Sequence, residues 1–240
     1  MDERLKKYRG IWKEKPVLRA VYADYHRRIA ERCKPGLTLE VGGGTGSLKE
    51  FDPNLLSTDI LPAPWLDVAV DAQALPFADR CVDNIVMLDV LHHIPRPRLL
   101  FTEVLRVLRS GGRLVMLEPA ITPLSWFFYK TLHQERTDLR EDPLTGRSAE
   151  EKRDPYDGNT AIASLLFGRH RHRLELAFPS LRIHEVKLLS LFVFPLSGGF
   201  RRWSLLPLKW VEALLRVEGA VLGVLGPLMA FRLLAVMERE

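Results

Sequence analysis

The first 35 residues carry aromatic and aliphatic side chains at the spacing of a helix face, between charged positions. Lys34-Pro35-Gly36 is a turn signal that ends this helical region. Further along the chain, short apolar runs replace the helical spacing, and such runs predict buried strands. We predict strands over residues 38–41, 55–60, 66–72, 82–90 and 112–119.

A helix is predicted between the fourth and fifth strands. It ends at Ser110-Gly111-Gly112, because glycine is a common helix stop. Strands that alternate with helices predict right-handed crossovers and a parallel sheet with helices on both faces. The residues predicted to face inward from this helix are Leu99, Leu100, Val104, Leu105 and Leu108.

The pattern is less regular beyond the fifth strand. Residues 121–159 are rich in aromatic, charged and turn-forming residues and predict a substrate cap. Residues 160–178 predict a returning helix. Predicted strands over 183–194 and 231–240 flank a long apolar segment, 195–230, which we expect to be a helical insertion.

These elements predict a single α/β domain in a chain of 240 residues. We expect a Rossmann-like, seven-stranded, mostly parallel sheet with helices on both faces. N-terminal helices (1–35) precede a cofactor-binding core (36–120). The cap follows strand five, and the apolar insertion separates strands six and seven.

A glycine-rich loop follows the first predicted strand, in the stretch LEVGGGTGSLKEF. Backbone without Cβ can adopt positive φ and lets a ligand approach closely. Ligands of such sheets bind beyond the carboxyl ends of the strands, where this loop meets Glu40, Asp59 and Asp71. We therefore predict one cleft built from the loop and these carboxylates. The glycines of the loop are Gly42, Gly43, Gly44 and Gly46.

Two nucleotide-like ligands compete for such a cleft. A dinucleotide-binding loop has the spacing G-x-G-x-x-G, and its third glycine allows close packing of the next helix. Counting from Gly42 gives Gly44 and then Ser47, so the third glycine is missing. A nicotinamide-dependent oxidoreductase is therefore an alternative with one mismatch.

The loop and the residues after it resemble one family over residues 37–120. EVGGGTG (40–46) resembles the E/D-x-G-x-G-x-G loop of class I S-adenosylmethionine-dependent methyltransferases. The stretches DAQALPF and LHHI, within residues 71–95, are similar to those of the methyltransferase type 11 group, which includes ubiquinone-biosynthesis-type enzymes.

This resemblance implies S-adenosyl-L-methionine as the cofactor, with the glycine loop under its amino-acid end. Glu40 would orient the ammonium group, and Asp59 would accept from the two ribose hydroxyls. Asp71 would accept from the adenine amino group beside the Ala72 amide, and the backbone near Leu88 would also face the cofactor. The residue types agree, because an ionised carboxylate accepts two hydroxyl donors at once and suits a cationic ligand.

Methyl transfer to a hydroxyl needs a general base within hydrogen-bond reach. His93, after the fourth strand, and His133, in the cap, are the candidate catalytic residues, because histidine titrates near neutrality. Packing at the turn is the simpler role for His92. We expect no metal site, because adjacent histidines point apart on a helix and no Cys/His ligand spacing accompanies them. Other candidates for substrate contact are Tyr129, Glu135 and Arg136.

The composition changes this picture little. A net charge of +5 and a pI near 9.3 permit an anionic partner, but no basic run with interleaved aromatics indicates nucleic-acid binding. The two cysteines form no CxxC pair, and the charged N-terminus lacks the apolar region of a secretory signal. We expect a cytoplasmic protein with reduced thiols.

The segment 200–230 suggests an apolar contact. Its longest uncharged run, Gly219 to Phe231, is too short for a span of roughly 20 residues. Its charged and apolar faces, with Trp203 and Trp210, suit a helix at a membrane interface, a lid over a lipid-like substrate or a dimer contact. We expect a bulky apolar or lipid-linked acceptor and peripheral contact at the inner membrane face.

The sequence thus predicts methyl transfer from S-adenosyl-L-methionine to a small-molecule, lipid or glycan acceptor, with oxygen as the first choice of acceptor atom and carbon or nitrogen as the alternatives. The alternatives are a non-catalytic cofactor-binding protein of the same fold and the nicotinamide-dependent oxidoreductase. Neither the acceptor nor the oligomeric state follows from these residues.

Overall fold

A computed structural model describes residues 1–132, 135–145 and 154–240. Within these residues seven strands form one sheet. The strands are β1 (Thr38–Val41), β2 (Leu56–Asp59), β3 (Val68–Ala69), β4 (Val82–Leu88), β5 (Leu108–Pro119), β6 (Leu181–Leu189) and β7 (Arg232–Arg239). Their order is β3-β2-β1-β4-β5-β7-β6; β7 is antiparallel to both neighbours, and the other pairs are parallel.

Helices pack on both faces of this sheet, and local signals fix where several of them begin. The Asp2 side chain caps the first helix by accepting from the amides of Arg4 and Leu5, and prolines open the second and fourth helices. A 3₁₀ turn covers Leu91–His93 and a π turn Leu165–Arg169. The helices are α1 (Glu3–Glu14), α2 (Pro16–Ala30), α3 (Ser47–Phe51), α4 (Pro97–Val107), α5 (Pro123–Leu132), α6 (Ile162–Ser164), α7 (Arg171–Ala177), α8 (Val193–Ser197) and α9 (Leu208–Met229).

The central strands are buried on both faces, as their apolar runs predict. In β5, Leu114 and Met116 join the core cluster that includes Leu100 of α4. Val115 and Leu117, on the opposite face, join the cluster that includes α2. The predicted Rossmann-like, mostly parallel fold is therefore confirmed.

Two predictions around α4 were wrong. The helix ends at Val107 and β5 begins at Leu108, because Gly111 and Gly112 lie in an irregularity of the β4–β5 pairing and do not end the helix. Leu99, predicted to face inward, is exposed, since it lies outside the face that buries Leu100, Val104 and Val107.

The predicted insertion between the last two strands is confirmed as α8 and α9. α9 packs against α2, α5 and β6. The buried Glu218 fastens it to the segment after β6 by accepting from the amides of Leu191 (2.9 Å) and Val193 (2.6 Å). Among the described residues, no helix has the length and apolarity needed to cross a membrane.

Candidate active site

The glycine loop connects β1 to α3 and is open at one position. Gly42, Gly44 and Gly46 all have positive φ (+77°, +46° and +70°). A Cβ on Gly42 would lie 2.2 Å from the Val90 side chain, and one on Gly46 would lie 2.7 Å from Trp65. A Cβ on Gly44 would meet its nearest atom only at 3.9 Å. The loop is therefore packed at both ends and leaves space for a ligand over Gly44.

Asp59, at the end of β2, is directed to this loop by backbone amides. One carboxylate oxygen accepts from the Gly44 amide (2.8 Å) and the other from the Leu61 amide (2.9 Å). Burial raises the pKa of the Asp59 carboxyl. Each oxygen keeps a further lone pair, so this carboxylate can still accept from a ligand.

Glu40, at the end of β1, lies below the loop. Its carboxylate accepts from the Ser57 hydroxyl and is almost fully buried. A Cβ on Gly43 would lie 2.9 Å from one Glu40 oxygen, so glycine is required for this close approach. Burial raises the pKa of Glu40 to about 7.

The remaining predicted cofactor residues follow β3 and β4 at the same edge of the sheet. Asp71 is exposed and accepts from the Gln73 amide (2.8 Å), whereas Ala72 is buried. Leu88 is the last residue of β4, beside Leu117 of β5. The predicted residues therefore converge on one strand-end edge, while their individual contacts to a cofactor stay predictions.

Two residues at the loop were missed by the sequence analysis. The Trp65 indole donates to the Gly44 carbonyl (2.8 Å), and the Arg9 guanidinium donates to the Thr45 carbonyl. Arg9 also lies 5.0 Å over the Trp65 ring. Neither residue belongs to a motif, so only the folded chain reveals that α1 reaches the glycine loop.

His92 lies in a chain of buried polar groups. Its Nδ1 is 2.6 Å from a Glu118 carboxylate oxygen, and its Nε2 is 3.2 Å from a Glu135 oxygen. Glu118 also accepts from the amides of Val90 and Leu91, each at 2.8 Å. Burial lowers the pKa of His92, but the two carboxylates outweigh it and raise the pKa to about 10.

His93 lies beside His92, with ring centroids 4.1 Å apart. The expectation that the two histidines point apart was wrong, because they occupy a tight 3₁₀ turn and not an α-helix. Burial and the neighbouring His92 lower the pKa of His93 to about 4, so its imidazole is neutral at neutral pH. Gly158 packs across both rings, since a Cβ there would lie within 3.0 Å of each.

A second polar group lies next to this turn. Asp89 has a left-handed backbone (φ +60°), forms an ion pair with Arg232 and accepts from the Tyr22 hydroxyl (3.3 Å). The buried Arg232 guanidinium lies 4.1 Å over the Phe194 ring. Tyr22 in turn packs edge-on against Phe200. Aromatic rings thus surround this side of the strand-end edge, which the sequence analysis did not predict.

The cap candidates divide into separate groups. Glu135 reaches His92, as described above, whereas Tyr129 is buried and donates to the Phe231 carbonyl (2.9 Å). Arg136 is paired with Glu141 (2.5 Å) on the surface. His133 lies outside the described residues, so its catalytic role stays a prediction.

Comparison with known proteins identifies the central part of the chain. A family model described as a methyltransferase domain matches residues 39–116. The chain is 45% identical over 53 residues to an uncharacterised methyltransferase of Mycobacterium tuberculosis, covering 22% of this chain and 21% of that protein. It is 33% identical over 94 residues to a demethylmenaquinone methyltransferase of Renibacterium salmoninarum, covering 33% and 40%. The chain thus spans about a fifth to two fifths of these relatives.

Structural similarity extends further than sequence similarity. A SAM-dependent methyltransferase from Archaeoglobus fulgidus superposes with a TM-score of 0.54 at 13% identity, over 92% of this chain and 94% of that one. At this identity the similarity concerns the fold alone. The shared fold covers almost the whole chain and not only the residues that the family model matches.

Proposed function

We propose that the chain transfers a methyl group from S-adenosyl-L-methionine to an oxygen of an apolar acceptor. The match of residues 39–116 to a methyltransferase-domain model supports this proposal. The observation that carries this proposal is one edge of the sheet with two features side by side. The first feature is the open glycine loop with Asp59, which would bind the cofactor. The second is the turn with His92 and His93, beside Glu135, which would accept the proton of the acceptor hydroxyl.

The residues present fit the cofactor. S-adenosyl-L-methionine supplies a methyl carbon on sulfonium sulfur: a C–O bond forms as the C–S bond breaks, and the electron pair stays on sulfur. Gly44 leaves space for the amino-acid end, and Glu40 would attract its ammonium group once the carboxyl, with its raised pKa of about 7, is ionised. Asp59 would accept from the ribose hydroxyls, and Asp71 from the adenine amine.

The acceptor's proton would pass to His93. Its imidazole is neutral, as a general base must be, and the Glu135 carboxylate nearby would stabilise the imidazolium that forms. Glu118 and His92 hold Glu135 at the turn through the two short contacts described above. The protein otherwise aligns the acceptor and excludes water, since the leaving group is already activated.

A groove beside this turn suits the apolar part of an acceptor. It has a volume of about 530 Å³, and within it the Ser164 hydroxyl accepts from the Ile121 amide (2.8 Å). Ser164 belongs to α6, which contacts the 3₁₀ turn of the histidines. The groove is lined by Ile121, Thr122, Pro123, Trp126, Leu139, Ser164, Leu165 and Arg169.

We also propose that the chain binds the surface of an anionic membrane in the cytoplasm. Trp210, Val217, Val224 and Leu228 are exposed along α9 at intervals of seven, seven and four residues, so they form one apolar stripe. α5 packs against α9 and adds exposed apolar side chains, including Phe127. Basic residues border this surface, which fits lipid phosphates: Lys130, Arg201, Arg202 and Lys209.

Calorimetric titration of the purified chain with S-adenosyl-L-methionine tests the proposed function. We expect one site in the wild type and an affinity at least about tenfold lower in Asp59→Asn, because a charge-assisted bond is lost. Asp79→Asn is the matched control. Asp79 is highly exposed, pairs with Arg106 and precedes β4, away from the strand-end edge. The affinity of this variant for S-adenosyl-L-methionine should therefore equal that of the wild type.

Two results would contradict the proposal. If the wild type binds NADH or NADPH and not S-adenosyl-L-methionine, the chain is an oxidoreductase. If it binds the cofactor but methylates no hydroxyl in a panel of polyprenyl, glycosyl and phenolic acceptors, a non-catalytic binding protein is favoured.

A further inference from the structure

His92, His93 and Glu135 bring three potential metal ligands together at the proposed active site. One atom from each side chain lies within 4.8 Å of the others. Glu135 comes from the cap, about 40 residues away from the histidines, so the fold and not the local chain assembles this group. Ligand atoms that share a metal at about 2.1 Å in tetrahedral geometry lie about 3.4 Å apart, so binding needs the atoms to approach one another by up to about 1.4 Å.

Glu118 orients the first of these ligands. Its carboxylate holds Nδ1 of His92 at 2.6 Å and is itself fixed by the amides of Val90 and Leu91. The Nε2 atom of His92 is thereby directed toward Glu135, 3.2 Å away. A metal-binding histidine commonly has its second nitrogen held by such a carboxylate, which fixes its tautomer and ring orientation.

His93 offers a second nitrogen. Its Nδ1 is buried and makes no hydrogen bond within the described residues. Gly158 packs against this edge of the ring, since a Cβ there would lie 2.9 Å from Nδ1. A buried polar atom without a partner costs free energy, and a metal bond would supply the partner.

We infer that His92, His93 and Glu135 bind one divalent first-row transition metal ion, such as Zn²⁺, Fe²⁺ or Mn²⁺. Two imidazole nitrogens with one carboxylate oxygen favour these ions over Mg²⁺ or Ca²⁺, which prefer oxygen ligands. Three protein ligands leave coordination positions open, and the acceptor hydroxyl could occupy one of them.

The role of this ion in methyl transfer rests on the proposed function, whereas its binding does not. A coordinated hydroxyl ionises more readily, so the ion would release the acceptor's proton to solvent. His93 would then act through its bond to the metal and not as a general base. Metal-dependent turnover after chelation and reconstitution would separate these two roles.

Titration of the chelator-treated full chain with Co²⁺ tests the site directly, through the visible absorption of bound Co²⁺. We expect one ion per chain, and an affinity at least about tenfold lower in His93→Ala and in Glu135→Gln. His172→Ala is the matched control, because His172 is exposed on α7 and should bind no ion. Circular dichroism establishes that each variant is folded.

The inference is overturned if the wild type shows no Co²⁺ absorption below millimolar concentration. It is equally overturned if His93→Ala and Glu135→Gln bind Co²⁺ as the wild type does. The Asp59→Asn variant separates failure of cofactor binding from failure of metal binding. It should lose cofactor affinity and retain Co²⁺, so a failure of the proposed function leaves the metal result intact.

Discussion

Glu40 shows how a single buried carboxyl can limit stability in favour of binding. It is almost fully buried below the glycine loop, with the Ser57 hydroxyl as its hydrogen-bond donor. Its pKa of about 7 exceeds the usual carboxyl value because burial penalises the charge. The folded chain therefore holds a proton that the unfolded chain releases between about pH 4.5 and pH 7.

This linkage predicts a pH-dependent effect of Glu40→Gln. Wild-type stability should fall relative to the variant as pH rises from 4.5 to 7, because ionisation at the buried site becomes costly. Above pH 7 the variant should be more stable by about 3 kcal/mol, and near pH 4 the two should be about equal. Urea unfolding at several pH values measures the difference.

The same substitution should weaken cofactor binding, since the amide lacks the charge that attracts the ammonium group. Stability gained at the expense of function is expected at a binding site. Parallel stability curves for the wild type and Glu40→Gln across this pH range would show that Glu40 does not titrate as described.

At the scale of elements, Lys15 fastens the loop after α8 to the N-terminal helices. Its buried ammonium donates to the carbonyls of Gly199 (2.7 Å), Arg201 (2.7 Å) and Trp203 (2.8 Å). This loop carries Phe200, which packs on the rings of Tyr8 and Tyr22. The ammonium thus orders a loop that covers the aromatic side of the proposed site.

Lys15→Met should release this loop. Three charge-assisted bonds are lost and three carbonyls lose their donor, which we expect to cost about 2–3 kcal/mol. Lys13→Met is the matched control, because Lys13 is exposed on the preceding turn and should have little effect. Hydrogen exchange should increase at residues 198–205 in Lys15→Met alone; unchanged protection there would refute the role of Lys15.

The sequence predicted elements better than it predicted their partners. Strands β1, β2, β4 and β7 follow local periodicity, so the sequence predicted them. Glu118, Arg232 and Trp65 were not predicted, because each acquires its role from a residue far along the chain. Likewise, the glycines at 111–112 could not be assigned to a bulge without the register of β4 on β5.

At the scale of the whole molecule, the exposed apolar surface of α5 and α9 lies beside the groove of the proposed acceptor. Trp126 of α5 lines that groove, while Phe127 on the same helix is exposed. Arg201 connects the basic border to this surface by donating to the Leu132 carbonyl (2.5 Å). A membrane-bound chain could therefore draw an apolar acceptor from the lipid into the groove.

Vesicle flotation tests this contact. The wild type should bind vesicles of equal parts phosphatidylcholine and phosphatidylglycerol more strongly than phosphatidylcholine alone. Val224→Glu combined with Phe127→Glu should reduce binding at least about tenfold, because apolar burial is lost and negative charge is added. Leu176→Glu is the control, since Leu176 is exposed on α7.

Light scattering tests whether a second copy of the chain, and not a membrane, covers this surface. A dimer that Val224→Glu converts to monomer, together with no vesicle binding by the wild type, would assign the stripe to a second copy of the chain and contradict the membrane contact.

The sheet order has a consequence for biosynthesis. β6 joins the described sheet only through β7, which follows it in the sequence after α9. While residues 232–239 remain in the ribosomal exit tunnel, β5 keeps an open edge and β6 lacks its partner strand, β7. The nascent chain must therefore delay its final assembly until residues 232–239 emerge, and during that interval it should be a client for chaperones.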